Sequence, residues 1–314
     1  MLPYLDVRPE IADAIERGRS VVALESTIVT HGMPYPANVA TACEVEGIVR
    51  AQGAVPATIA VLAGRIRVGI TPDELEGLGT ARDVLKLSRA ELPFAVATGR
   101  TGATTVAATM ICAHLAGIEV FATGGIGGVH RGVESTMDIS ADLEELGRTS
   151  VTVVGAGAKA LLDLPRTLEY LETRGVPVVC YRTDRFPAFW SRASELPAPI
   201  RLDTPGAVAE LVRTKRRLRL DGGVVVANPV PEADEIGAAE MAGHIEAAVA
   251  AAAHDGVTGK AVTPFLLARL LDLTGGRSLR TNIALVKSNA ALAAQLAGEL
   301  ARPSLDGDGT VFPG

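Results

Sequence analysis

The 314-residue sequence predicts an α/β fold, three-layer α/β/α with a mostly parallel sheet between two helical layers. Three observations carry this. Short apolar segments alternate with longer ones that open on proline or a capping residue and stop at glycine. The strand candidates are apolar throughout rather than alternating, as strands covered on both faces are. With 48% hydrophobic and 21% charged residues, the chain can bury a large core and lacks the composition of disorder. No linker, repeat or low-complexity stretch divides it, so residues 1–302 read as a single domain and the polar segment 303–314, beyond Pro303, as a frayed tail.

Taken in order, Pro9 in a first turn and Gly18 as a stop bracket a leading helix. Residues 21–24 form a buried strand that delivers Glu25, Ser26 and Thr27 at its carboxyl end, where parallel sheets build their sites. Two prolines in the segment 30–36 exclude a helix interior there, and a helix then runs to about Gln52, closed by Gly53. After a strand at 57–62, Thr71-Pro72-Asp73-Glu74 combines a capping box with proline at the first helical position. Residues 86–89 lead into a strand around 94–97, and 102–117 carries a helix that starts at Ala103-Thr104-Thr105-Val106. A strand at 119–123 runs into a turn with Gly124, Gly125, Gly127 and Gly128. A strand at 150–154 then leads to a helix opened by Gly155-Ala156-Gly157-Ala158-Lys159, and a helix ends at Gly175. A strand at 177–181, a loop at 184–197, a helix opened by Thr204-Pro205 and a strand at 223–227 ending in Asn228-Pro229 complete the alternation. The remainder is helical: 232–254, a helix opened by Thr263-Pro264, and 282–302.

A net charge of -6 argues against a nucleic-acid partner, and the basic run 213–219 reads as the solvated face of a helix. Cys43, Cys112 and Cys180 are odd in number and set in apolar segments, which predicts buried thiols in a reducing compartment. No Cys/His cluster has zinc-ligand spacing. The start lacks a basic and apolar leader, and the apolar run 247–253 is too short to span a bilayer, so a cytoplasmic location with no membrane partner is expected.

The residues between 119 and 162 hold most of the chemistry. Glycines directly after a strand let backbone N–H groups approach an anion, although such turns serve packing equally well. His130 and Arg131 either add charged donors to that anion or form a surface pair. Asp138 and Asp142 flank Ser140; they are oxygen ligands for a hard divalent ion, or Asp138 is a turn carboxylate beside a helix that Ser140 caps. Lys159, at a predicted helix start among small residues, is a candidate amine nucleophile able to form a Schiff base with a sugar aldehyde, or simply a solvated lysine. Glu25 is a general-acid candidate. His31 grips a ligand or supports its turn, and Asn282 caps a helix or touches a substrate.

These residues sit in motifs that resemble one enzyme family. The runs 23–28 and 30–34, Gly102-Ala103-Thr104-Thr105-Val106, residues 121–132, residues 138–142, Gly157-Ala158-Lys159, Ala227-Asn228-Pro229 and residues 263–267 closely resemble the pseudouridine-5'-phosphate glycosidases, over about 21–297. The resemblance implies a three-layer fold with a mixed sheet, a homotrimer, and a divalent metal, typically manganese (Mn2+). It implies reversible cleavage of the C–C glycosidic bond of pseudouridine 5'-phosphate to uracil and ribose 5-phosphate. A carbon-linked base offers no bridging heteroatom to protonate, which explains why such an enzyme needs an amine. By resemblance, Lys159 attacks C1' of the opened ribose to give a Schiff base that serves as electron sink, Glu25 is the proton donor, and Asp138 is the metal ligand. Lys86, Val106, Ser140, Ala141 and Asp142 match substrate-binding positions, with Lys86 and Ser140 suited to the phosphate; Thr123, His130 and Asn282 match further substrate contacts. The chain departs from the family pattern at Gly155, where cysteine is usual, at Met137 and at Trp190. A C-glycosidase acting on another nucleotide or pigment precursor, and a silent sugar-phosphate sensor, are the competing readings; the sensor would lack Lys159 or Glu25.

Overall fold

The computed structural model describes residues 2–257 and 262–302, apart from the side chain of Thr263; the tail expected at 303–314 lies outside the described residues. The chain runs β1 (Leu5–Val7), α1 (Pro9–Glu16), β2 (Val21–Leu24), a π-helical turn (Ile28–Gly32), α2 (Ala37–Ala51), β3 (Val55–Leu62), β4 (Arg65–Val68) and α3 (Pro72–Thr80). It continues through β5 (Leu85–Leu87), α4 (Glu91–Ala97), β6 (Gly102–Thr104), α5 (Val106–Ala116), β7 (Val120–Ala122), α6 (Val133–Thr136), α7 (Ala141–Leu146) and β8 (Thr152–Gly155). The rest is α8 (Leu164–Thr173), β9 (Val178–Tyr181), β10 (Ile200–Leu202), α9 (Pro205–Arg217), β11 (Val224–Ala227), α10 (Ala238–His254), α11 (Val262–Leu273) and α12 (Arg277–Ala301).

One mixed, mostly parallel sheet holds the main strands in the order β1-β4-β3-β2-β7-β8-β11-β9-β10. The long strand β3 organises it. Its first half, through Thr58, pairs in parallel with β2, and its second half pairs antiparallel with β4 on one side and β6 on the other. Running against β3, β6 ends where β2 ends. There the buried Ser26 hydroxyl donates to the Ile59 carbonyl (2.7 Å) and accepts from the Thr104 N–H (2.9 Å), replacing ladder bonds that neither strand can complete. The carboxyl ends of β2, β6, β7 and β8 therefore share one rim. Helix α12 lies across β2, β7 and β8 beside α2 and α9, while α5 packs on β2, β3, β6 and β7 with α7 against it. Val22, Phe121, Val153 and Val226, wholly buried, explain the continuous apolar strands.

Several elements differ from the sequence expectation. The segment 94–97 is the end of α4, not a strand, because Ser88 donates from both its N–H and its hydroxyl to the Glu91 carboxylate and starts a helix that tolerates Pro93 in its first turn. Residues 102–104 form strand β6 rather than a helix start, and the helix begins at Val106 behind the Thr105 cap. No helix opens at Gly155. Gly157 takes a left-handed conformation, with φ of +79°, and the segment runs irregularly, through a turn closed by the Leu162 N–H to the Lys159 carbonyl (3.0 Å), until Asp163 caps α8 by accepting from the Arg166 N–H (3.0 Å). Residues 28–32 are π-helical although a wholly irregular loop was expected through Pro36, and α10 starts only at Ala238 after a short turn. Cys43 is exposed, since it lies on the face of α2 opposite the core, whereas Cys112 and Cys180 are buried and burial pushes both thiols up to about 12. Within the basic run, Lys215 is not solvated: it is buried and its ammonium donates to the Leu220 and Gly222 carbonyls at 2.8 and 2.9 Å. Among the described residues no helix is long and apolar enough to cross a membrane.

Two charged contacts brace this scaffold. Glu145 of α7 is fully buried and accepts a bidentate pair from Arg89 Nε (2.6 Å) and Nη2 (2.8 Å), tying the segment after β5 to α7. Arg89 is half-exposed, so Arg89→Met should cost about 2 kcal/mol rather than the full price of breaking a buried pair, read as a lower urea midpoint with an unchanged slope. Glu46 of α2 is largely buried beside Thr58, and burial raises its carboxyl pKa against the opposing hydroxyl hydrogen bond. Between its ordinary and its raised value the native state binds more protons than the unfolded state, so Glu46 contributes a stability loss as pH rises through that window. Glu46→Gln should match the parent in acid and exceed it at neutral pH in denaturant melts.

Candidate active site

The rim formed by the ends of β2, β5, β6, β7 and β8 encloses a cavity of about 350 Å³, at the place where open parallel sheets bind ligands. Its walls include Glu25, Lys86, Val106, His130, Asp138, Ser140, Ala141, Asp142, Lys159 and Asn282, which the sequence scatters over more than half its length. Thr123 does not line it. It stands behind Glu25, buried, and donates its hydroxyl to Glu25 Oε1, while Thr27 donates to Oε2. Glu25 is thus a cavity carboxylate with both oxygens held in place by neighbouring hydroxyls.

The glycine turn serves packing more than anion capture. Asp142 is buried, and its Oδ2 accepts from the Gly127 N–H (2.8 Å) while Oδ1 accepts from the Ala107 N–H (3.0 Å) in the first turn of α5. A Cβ on Gly127 would stand 2.2 Å from Ser140 Oγ, and one on Gly128 would stand 2.5 Å from Thr167 Oγ1. Glycine is required because side chains occupy the space. Asp142 accordingly shapes the site, and Ser140, which caps α7 by accepting from the Asp142 N–H (3.3 Å), faces the cavity. Val106 is the first residue of α5, so the polar group it has for a ligand is a backbone N–H at the positive end of that helix.

Lys159 reaches the cavity from the irregular segment after β8, fixed by its own N–H to the Ile126 carbonyl (3.2 Å) and by the Ile126 N–H to the Gly157 carbonyl (3.1 Å). Lys159 is therefore at no helix start, and what distinguishes it is its place opposite Glu25 across β7. Its charge is felt nearby. Burial lowers the His130 pKa, Asp138 opposes this, and the ammonium groups of Lys159 and Lys86 lower it further. Burial and Lys86 likewise lower His31, whose Nδ1 meets the Thr30 hydroxyl at 2.5 Å within the π-helical turn. Arg131 is exposed and lines a separate groove beyond Leu162, so the expected His-Arg pair divides.

Asp138 is partly exposed and lies 3.8 Å from His130 Nδ1 through Oδ2. Among the described residues no three His, Cys, Asp or Glu side chains gather as a metal cluster. A single carboxylate fits a hard divalent ion of the magnesium or manganese kind, which retains most of its waters and takes the remaining ligands from a substrate. Asn282 lies inside α12 rather than at its cap, and its Oδ1 is buried without a hydrogen-bond partner among the described residues. Sequence reasoning missed the two threonine hydroxyls on Glu25 and missed Phe189. That residue lines the cavity with φ of +60° and meets Trp190 edge-on at 4.8 Å, while Trp190 Nε1 donates to the Ser278 carbonyl (3.1 Å). A lone Phe-Trp pair in a proline-flanked loop was the available signal.

A family model described as Indigoidine synthase A like protein matches residues 10–299. A protein named pseudouridine-5'-phosphate glycosidase from Methylobacterium nodulans is 71% identical over 99% of this chain and 93% of its own length. One of the same name from Solibacter usitatus is 64% identical over 95% of this chain and 99% of its own. Among solved structures, the prealnumycin C-glycosynthase AlnA in complex with ribulose 5-phosphate superposes with a TM-score of 0.89 at 39% identity, over 96% of this chain and 98% of that one. An indigoidine synthase A-like protein from Thermotoga maritima does so at 0.86 and 36%, over 95% and 97%. At these identities and over nearly the whole length of both chains, this chain belongs to the pseudouridine-5'-phosphate glycosidase family.

Proposed function

We propose that this protein reversibly cleaves the C–C glycosidic bond of pseudouridine 5'-phosphate, giving uracil and ribose 5-phosphate, through a Schiff base on Lys159. One observation carries the reading: Lys159 and Glu25 face one cavity from the ends of β8 and β2, on either side of β7. An amine and a carboxylate so placed can act on one carbon and its neighbour. The Lys159 amine bonds to C1' as the C1'–O4' bond breaks, and O4' takes up the amine's proton to become a hydroxyl. The nitrogen lone pair then moves toward C1' while the electron pair of the C–C bond leaves with the base, giving an iminium on the lysine; the base carbon takes its proton from the protonated Glu25 carboxyl, and water adds at C1' and expels the lysine amine, releasing ribose 5-phosphate and returning a proton to Glu25.

The remaining residues divide between the ends of the substrate. Lys86, Ser140, His130 and the Val106 N–H suit the phosphate, since together they offer charge and fixed donors. Asn282, whose acceptor has no partner among the described residues, suits a ring N–H of the base. Asp138 would hold a manganese or magnesium ion, which supplies charge neutralisation for substrate oxygens when bound. The likeness to a C-glycosynthase favours a second reading, in which the same Schiff-base chemistry serves another base. Assembly as a homotrimer belongs to the same proposal, and sedimentation reads it directly.

The deciding assay is chromatography of protein incubated with pseudouridine 5'-phosphate and manganese, beside a chelator-treated sample. Metal-dependent uracil release is expected. Absence of uracil together with a borohydride-trapped ribose 5-phosphate adduct would move the assignment to another base, and absence of both would overturn the enzyme reading. Lys159→Ala should lose at least about 10³-fold in turnover and all trapping while its melting temperature stays near the parent's; turnover within tenfold of the parent would remove Lys159 from the chemistry.

A further inference from the structure

The Ala227-Asn228-Pro229 motif has no part in the cavity, since neither Asn228 nor its contacts Ser288 and Asn289 line it. Yet Asn228 heads a buried polar chain that leads to the catalytic carboxylate. Asn289 of α12 is wholly buried, and its Nδ2 donates to the Thr123 carbonyl (2.9 Å) and, more weakly, toward the Gly124 carbonyl (3.4 Å). Both are acceptors only, so the amide's NH₂ must face the end of β7 and its Oδ1 must face away. Asn228 supplies the partner there, donating from Nδ2 to Asn289 Oδ1 (3.0 Å) and to Ser288 Oγ (3.0 Å). Thr123, held at its carbonyl by Asn289 and at its N–H by the Val154 carbonyl (2.9 Å), donates its hydroxyl to Glu25.

We propose that Asn289, oriented by Asn228, is a positioning residue for Glu25, acting through Thr123 and not through the substrate. The assignment rests on the function proposed above. An apolar pair would fill the same space between α12 and β7 without the desolvation cost of two amides. What the amides add is direction: they fix where Thr123, the residue after β7, stands, and hence the line from its hydroxyl to the carboxylate. Proton delivery at the base carbon depends on that line, whereas attack by Lys159, on the other side of β7, does not.

The test is a double-mutant cycle with two readouts, turnover and borohydride trapping of ribose 5-phosphate on Lys159. Asn289→Ala should lower kcat by roughly 10- to 100-fold, with KM and trapping within about threefold of the parent. Thr123→Val should show a similar split, and the double variant should fall no more than about threefold below the weaker single variant, because both changes break one path. Asn228→Ala leaves the Nδ2 bonds of Asn289 in place and should give the same split at a smaller loss of about 3- to 10-fold; it carries the test if Asn289→Ala does not fold. An unchanged kcat in these variants, a parallel fall of turnover and trapping, or losses that multiply in the double variant would overturn the assignment while leaving the reaction intact. A parent that traps the sugar but releases no uracil would overturn the proposed reaction and this assignment with it.

Discussion

The carboxylate of Asp142 joins two backbone N–H groups that no regular element satisfies, one in the first turn of α5 and one in the glycine turn after β7. Without it, both would be buried donors lacking a partner, and each such group costs on the order of 1–3 kcal/mol. Because Asp142 is also in the first turn of α7, three separate segments are fixed to one another at a single side chain. The cavity wall from Val106 through Gly127 to Ser140 inherits its shape from that junction. A carboxylate suits the post because its two oxygens accept from different directions, which an amide or a hydroxyl cannot do here without presenting a donor to a donor.

Around this junction the site is electrostatically mixed rather than simply basic. Lys86 and Lys159 bear on His130 from within the cavity, and the half-buried Asp138 bears on it with the opposite sign. The cavity thus combines cations and backbone donors with an amide oxygen, on Asn282, that has no hydrogen-bond partner among the described residues.

Much of this was legible in the sequence for a simple reason: ionisable residues at the ends of apolar strands stand out. Glu25 after residues 21–24 and the glycine turn after residues 119–123 could be placed from local pattern alone, as could the helix starts at Thr71 and Thr204, whose caps the structure bears out. What failed was local structure decided by distant partners. Residues 102–104 have no strong strand character, and they become β6 because the upper half of β3, paired with β4 on one side, is open on the side where β2 stops. The segment after β8 has a helix-like composition but is held out of a helix by its bridge to Ile126 and by the left-handed Gly157. The roles of Thr123 and Asn289 are set by partners about a hundred residues or more away along the chain, for which a threonine or an asparagine carries no sequence signal.

The missing side chain at position 155 sets the spacing between two strand ends. A Cβ there would lie 3.2 Å from both Gly125 Cα and the Thr123 methyl, close enough that one of them would have to yield by a few tenths of an ångström. Thr123 also donates its hydroxyl to Glu25, so the contact at position 155 is one side chain removed from the cavity carboxylate. Glycine at 155 therefore lets the ends of β7 and β8 approach one another without either neighbour giving way, and a survey of cavity residues alone would pass it over.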